Sequence, residues 1–85
     1  MNVTLAHFEL LEEIGHGGLG IVFRAFDPSL NRYVAIKVLK DEFAQDPKFV
    51  QDFLRESKNA AAISHPHIAQ VHFVGENDGN YYMVM

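Results

Sequence analysis

The 85-residue chain contains no cysteine, so neither a disulfide framework nor a thiolate metal site can form. That is compatible with a reducing compartment. No stretch approaches the ~20 apolar residues of a membrane span. The opening Met1-Asn2-Val3-Thr4-Leu5-Ala6 lacks the basic region and long apolar run of a secretion signal. Basic residues are also few: 7 Lys and Arg against 11 Asp and Glu leave a net charge of −4. Such a balance gives no electrostatic reason to expect nucleic acid or an anionic membrane surface as partner. Internal repeats and low-complexity segments are missing too. What is present is 48% hydrophobic and 12% aromatic residues, enough for the packed core of one small domain.

Five segments read as strands and one as a helix. In Phe8 to Ile14, apolar residues at 8, 10 and 14 share a face, the period of a half-buried strand. Gly15 to Gly20 reads as a turn or loop, and Ile21 to Phe26 as a β-branched and aromatic strand. Asp27-Pro28-Ser29-Leu30-Asn31 has strong turn chemistry, and Tyr33 to Leu39 is a third strand with a lysine inside it. Asp46-Pro47 starts a helix with an N-cap acceptor and a proline at the first helical position. Phe49, Val50, Phe53, Leu54, Ala60, Ala61 and Ile63 then recur at helical spacing until His65-Pro66 stops it. Ile68 to Val74 and Asn80 to Met85 are the last strands, with Gly75 to Gly79 as the turn between them. The order β-β-β-α-β-β predicts an α+β fold: a five-stranded antiparallel sheet with one main helix against it. Residues 1–7 are a lead-in, 8–85 the domain, and the end inside a predicted strand reads as a fragment.

Gly15, Gly17 and Gly20 match G-x-G-x-x-G, with Val22 two residues on. Glycine suits phosphate because backbone N–H groups must approach its oxygens closely, and a side chain would hold them off. A glycine-rich hairpin turn satisfies the same pattern, so context decides. A dinucleotide-binding loop needs a helix directly after the third glycine, over residues 21 to 31. Ile21-Val22-Phe23 is a strand start instead. A Walker-type loop is excluded, since no Gly-Lys-Ser/Thr follows. Strand, glycine loop, strand is the arrangement of a nucleotide flap.

Lys37 lies in Val34-Ala35-Ile36-Lys37-Val38-Leu39, where it shares a face with Ala35 and Leu39. An ammonium among such neighbours costs several kcal/mol unless an anion meets it. The plain alternative is a lysine snorkelling from a wet strand face. Glu56 is a candidate counter-charge: it follows Phe53 by three and precedes Ala60 by four, on the predicted apolar stripe. Its plain alternative is a boundary residue pairing locally with Arg55 or Lys58.

Gly15-His16-Gly17-Gly18-Leu19-Gly20-Ile21-Val22, then Val34-Ala35-Ile36-Lys37, then Arg55-Glu56 and His65-Pro66-His67-Ile68, resemble the N-terminal lobe of eukaryotic-like protein kinases. The double glycine followed by Leu19 looks most like the bacterial serine/threonine subgroup. The resemblance covers residues from about Phe8 to the end. It implies that Ile14, Val22 and Ala35 wall an adenine pocket, and that the backbone from Gly15 through His16, Gly17, Gly18 and Leu19 to Gly20, with Ile21 beside it, covers the phosphates of ATP. It further implies that Lys37 holds the α- and β-phosphates and Glu56 holds Lys37. Met85 would be the gatekeeper before the hinge, and Ala60 and Val71 part of a hydrophobic stack between lobes.

The family's H-R-D catalytic loop, its D-F-G segment and its activation loop do not occur in these residues. The resemblance therefore implies a kinase lobe whose Mg²⁺ ligands and protein-substrate groove belong to a C-terminal lobe, and the lobe is expected in the cytoplasm, with a membrane anchor in a later segment of a larger parent protein left open. The 85 residues alone are expected to be inactive, and the apolar surface left uncovered to favour self-association. A non-catalytic lobe acting as a binding module is the alternative. His65, His67 and His72 read as structural rather than as a metal site. Tyr81 and Tyr82 read as packing residues.

Overall fold

The computed structural model describes residues 3–62 and 73–85, with the helical backbone alone for 57–62. The strands are β1 Val3–Leu5, β2 Phe8–Gly17, β3 Gly20–Asp27, β4 Arg32–Leu39, β5 Phe73–Asn77 and β6 Asn80–Val84. They form one antiparallel sheet in the order β1-β2-β3-β4-β6-β5. Two helices, α1 Asp41–Ala44 and α2 Pro47–Ala62, stand between β4 and β5 in the chain.

The predicted α+β architecture is present, with one strand more than expected. The supposed lead-in is part of the sheet: Val3, Thr4 and Leu5 pair with Leu10, Glu9 and Phe8 across a turn in which Ala6 has φ 54°. Three residues are too few to show a period, so β1 has no sequence signal of its own. The glycine stretch is also more strand than loop. β2 runs on to Gly17, and only Gly18 and Leu19 connect it to β3, with Gly17 opposite Gly20. Gly75 to Asn77 belong to β5, and the turn is only Asp78-Gly79, with φ 51° and 82°, the signature of a tight two-residue hairpin. Strand β3 over residues 20–27 removes the dinucleotide-binding alternative, which required a helix there. The helix stop at His65-Pro66, the first half of the predicted fourth strand, Val71, and the histidines at 65, 67 and 72 lie outside the described residues.

Strand alternation sorts the core onto two faces. On one, Leu5, Phe8, Ala25, Val34, Ile36, Tyr82 and Val84 form a buried cluster. On the other, Leu39, Phe53 and Met83 are buried where the helices dock. Asp46 caps α2, its carboxylate accepting the Lys48 N–H at 2.9 Å. Phe53, 2% exposed, is the buried anchor of α2, and such an aromatic typically contributes about 3–5 kcal/mol over alanine.

The turn between β3 and β4 is organised by Asp27, the one buried charged residue among those described. Its Oδ1 accepts the Ser29 hydroxyl at 2.6 Å, the Ser29 N–H at 2.9 Å and the Leu30 N–H at 3.4 Å. His7 Nε2 stands 3.2 Å from the same oxygen, tying the β1–β2 turn to this one. The Ser29 hydroxyl bond holds the carboxyl below its ordinary value of 3.8; burial opposes this, and the two amides and His7 reinforce it. A depressed carboxylate stabilises the fold above its unfolded pKa and loses that contribution as pH falls through the folded one. Protection of the Ser29 and Leu30 amides from hydrogen exchange should therefore persist as pH falls through about 4, where an ordinary carboxyl protonates, and be lost only at lower pH. Asp27→Ala should speed exchange of the Ser29 amide at neutral pH by roughly tenfold. Unchanged exchange would mean that the turn holds itself.

Candidate functional site

Register places Val22, Ala35, Lys37 and Met85, four of the sequence-predicted residues, on one face. Val22 lies opposite Lys37, and Lys37 opposite Met83. Ala35 exchanges backbone hydrogen bonds with Met85, at 2.7 Å from the Met85 N–H and 3.4 Å in return. Val22, Ala35, Lys37, Met83 and Met85 therefore point to the same side of the sheet. Among the described residues, the helices cover this side around Leu39 and Met83, and Met85 packs against that cluster. Val22, Ala35, Lys37 and Met85 stay half-buried, forming one apolar wall with a cation in it.

The β2–β3 hairpin ends beside this wall. Gly18 has φ 56°, a left-handed conformation that suits glycine in a two-residue connection. Leu19 packs against the helix-side cluster, and its carbonyl accepts the Lys40 N–H at 2.9 Å, tying the tip to the end of β4. Register irregularities in β2 fall at Leu11 and Ile14, and Ile14 is 56% exposed. Gly15 pairs with Val22, but His16 pairs with Ile21, on the face opposite Lys37. Of the expected phosphate-covering residues, His16 and Ile21 can thus offer backbone and not side chain to the Lys37 side. The His16 imidazole instead lies 3.4 Å from Glu13, both exposed.

Lys37 and Glu56 are not brought together. The ion pairs among the described residues are His7–Asp27, His16–Glu13, Arg24–Glu12 and Arg55–Asp52, and none includes either residue. Glu56 is exposed, contrary to its expected place on the apolar stripe. The cause is helical phase. The packed seam runs through Val50, Phe53 and Leu54, and at 100° per residue Glu56 sits about 120° around the helix from it. Arg55, weighed as a local partner for Glu56, is engaged by Asp52. The Ala60 side chain lies outside the described residues.

Sequence reading missed two features of this face. Met83, directly opposite Lys37, follows from strand period once β4 and β6 are paired. Arg24, opposite Ala35, donates from Nε to Glu12 at 2.6 Å, with its guanidinium 5.1 Å from the Tyr33 ring centroid. That cluster depends on the β2 irregularity and has no signal in single-strand periodicity. A cavity of about 680 Å³ opens on the opposite face, lined by Val3, Leu10, Ile21, Phe23 and Val38 among others. It contains none of Val22, Ala35, Lys37 or Met85 and belongs to a different surface. The tyrosines behave as packing groups. Tyr81's phenol is pushed up by its hydrogen bond to Glu76 across the β5–β6 pair, and Tyr82's by burial in the outer core.

Residues 8–85 match the protein kinase domain family. Over 78 residues the chain is 41% identical to the serine/threonine-protein kinase PrkC of Bacillus subtilis, covering 92% of this chain and 12% of that protein. Over 81 residues it is 44% identical to the serine/threonine-protein kinase PknA of Mycobacterium tuberculosis, covering 94% of this chain and 19% of that one. The crystal structure of the Mycobacterium tuberculosis PknI kinase domain superposes with a TM-score of 0.74 at 36% identity, over 98% of this chain and 34% of that one. The chain thus spans a fifth or less of the length of the two curated relatives.

Proposed function

The chain belongs to the protein kinase family, and from that membership we propose that its Lys37 face binds ATP for phosphoryl transfer to serine or threonine of a protein, once a C-terminal lobe completes the site. The observation that carries this is the placement of Lys37. It is a half-buried cation on an apolar wall of Val22, Ala35 and Met85, with no carboxylate paired to it among the described residues. A cation so placed favours an anion entering from the open side. The apolar wall suits a flat base, and the hairpin glycines let backbone N–H groups approach phosphate. In this reading Lys37 donates to the α- and β-phosphates while Val22, Ala35 and Met85 fix the base, and Ile14 closes its outer edge. Mg²⁺ would screen phosphate charge, its protein ligands supplied by the D-F-G and catalytic-loop segments of a C-terminal lobe. ATP supply places such a lobe in the cytoplasm. No helix among the described residues is long and apolar enough to cross a membrane.

A binding module without catalysis is the second reading, favoured by the separation of Lys37 from Glu56. Amide and methyl NMR of the chain titrated with MgATP tests the first. Shifts should concentrate at Val22, Ala35, Lys37 and Met85, and Lys37→Met should weaken them severalfold. Shifts confined to the outer-face cavity, or none at ten millimolar nucleotide, would refute ATP binding here.

A further inference from the structure

We infer that Gly20 is a positioning residue for Lys37: its missing side chain is the space through which the lysine stem reaches the cleft. The inference deepens the nucleotide-binding role of Lys37 and rests on it for its functional consequence.

Gly20 is buried and lies in regular strand, opposite Leu39 and diagonal to Lys37. Its φ lies outside the left-handed region, unlike that of Gly18, so its backbone does not require glycine. Space does. A Cβ at Gly20 would stand 2.8 Å from Lys37 Cε and 2.9 Å from Lys37 Cγ, with the Val38 carbonyl oxygen at 3.2 Å. By contrast, a Cβ at Gly15 or Gly18 would meet nothing within 4 Å.

Cγ is the second carbon of the side chain, so it cannot step aside as a chain end can. Relief requires a change of rotamer near the backbone, which swings the whole stem and carries Nζ with it. Two carbons of the stem touch the same point, so the lysine lies along the bare strand at Gly20. Gly20 thus selects the lysine rotamer, independently of any contact its own N–H makes.

The test compares Gly20→Ala with Gly15→Ala in the full-length protein, beginning without nucleotide. In ¹³C-lysine-labelled protein, the Lys37 Cε–Hε signal is assigned by its loss in Lys37→Met. Gly20→Ala should move that signal; Gly15→Ala should leave it in place, whatever it does to nucleotide binding. With ATP, Gly20→Ala should lower kcat/KM about a hundredfold, the cost of misplacing a phosphate-holding group by roughly 1 Å. A thermal double-mutant cycle separates the lysine from the Val38 carbonyl. Gly20→Ala should lower the midpoint in the Lys37 background and lower it much less beside Lys37→Ala, which has no Cγ. An unmoved lysine signal, or the same midpoint loss in both backgrounds, would overturn the inference. A moved signal in a protein that never binds ATP would leave the contact standing and refute the nucleotide reading alone.

Discussion

Incubated with radiolabelled ATP and a protein substrate, the 85-residue chain alone should yield no phosphoprotein above background. Catalysis of phosphoryl transfer is positioning plus charge stabilisation. The chain supplies a half-buried lysine, Lys37, and one apolar wall; it has no H-R-D or D-F-G segment to supply the base and metal ligands. Kinases turn over at about 1–100 per second with all these parts in place. Binding should be weak for the same reason. A base resting on Val22, Ala35 and Met85 buries one of its two faces, and those residues are only half-buried among the described residues. A dissociation constant of about 1 mM or weaker, worth some 4 kcal/mol, is the expected result by calorimetry. Measurable turnover by the purified chain would require a phosphoryl-transfer apparatus within these residues, and would contradict the proposed division between lobes.

The parts of the fold that sequence made legible are those with dense local signals. β3 and β4 carry β-branched and aromatic residues, and Asp27 and Asp46 announce the turn and the helix start with side chains that do accept backbone N–H groups. The glycine-rich stretch misleads for a physical reason. Glycine has low strand preference, but the ladder to Ile21 and Val22 supplies hydrogen bonds that hold His16 and Gly15 extended anyway. Gly75 reads as a turn residue for the same reason and sits in β5, opposite Tyr82. The four residues of α1 are too few to show a helical period.

The site divides along similar lines. A period of two is enough to put Lys37 with Ala35, and pairing of neighbouring strands brings in Val22 and Met85. Helical phase is harder to read. Choosing Phe49, Phe53 and Ala60 as the stripe includes Glu56; the structure packs through Val50, Phe53 and Leu54, which excludes it. Both phases fit the same list of apolar residues, and only docking against Leu39 and Met83 separates them. The crowding of Gly20 against Lys37 is likewise invisible until β3 and β4 are in register.

In the full-length protein, Lys37→Met and Glu56→Gln should each lower kcat/KM by about a hundredfold or more, with the double variant little worse than the worse single one. In the proposed reading, Lys37→Met removes the charge that would meet the phosphates. The case for Glu56 has to overcome its position here, exposed and off the packed seam. The resemblance to kinases assigns it to Lys37, and a rotation of α2 about its own axis by roughly the 120° that separates Glu56 from the seam would turn it toward the sheet. The contacts resisting that motion are those of Val50, Phe53 and Leu54 with Leu39 and Met83, an apolar seam that depends less on exact geometry than hydrogen bonds do. Pairing would then be a property of the assembled, nucleotide-bound protein, and α2 an on/off element. Groups that act as one unit are strongly non-additive, because the first loss already disables the unit. If Glu56 instead remains a surface charge throughout turnover, Glu56→Gln would change activity by less than about twofold, in keeping with the few tenths of a kcal/mol of an exposed pair. A Glu56→Gln enzyme with near-normal kcat/KM would therefore end its assignment as the partner of Lys37, whatever Lys37→Met did.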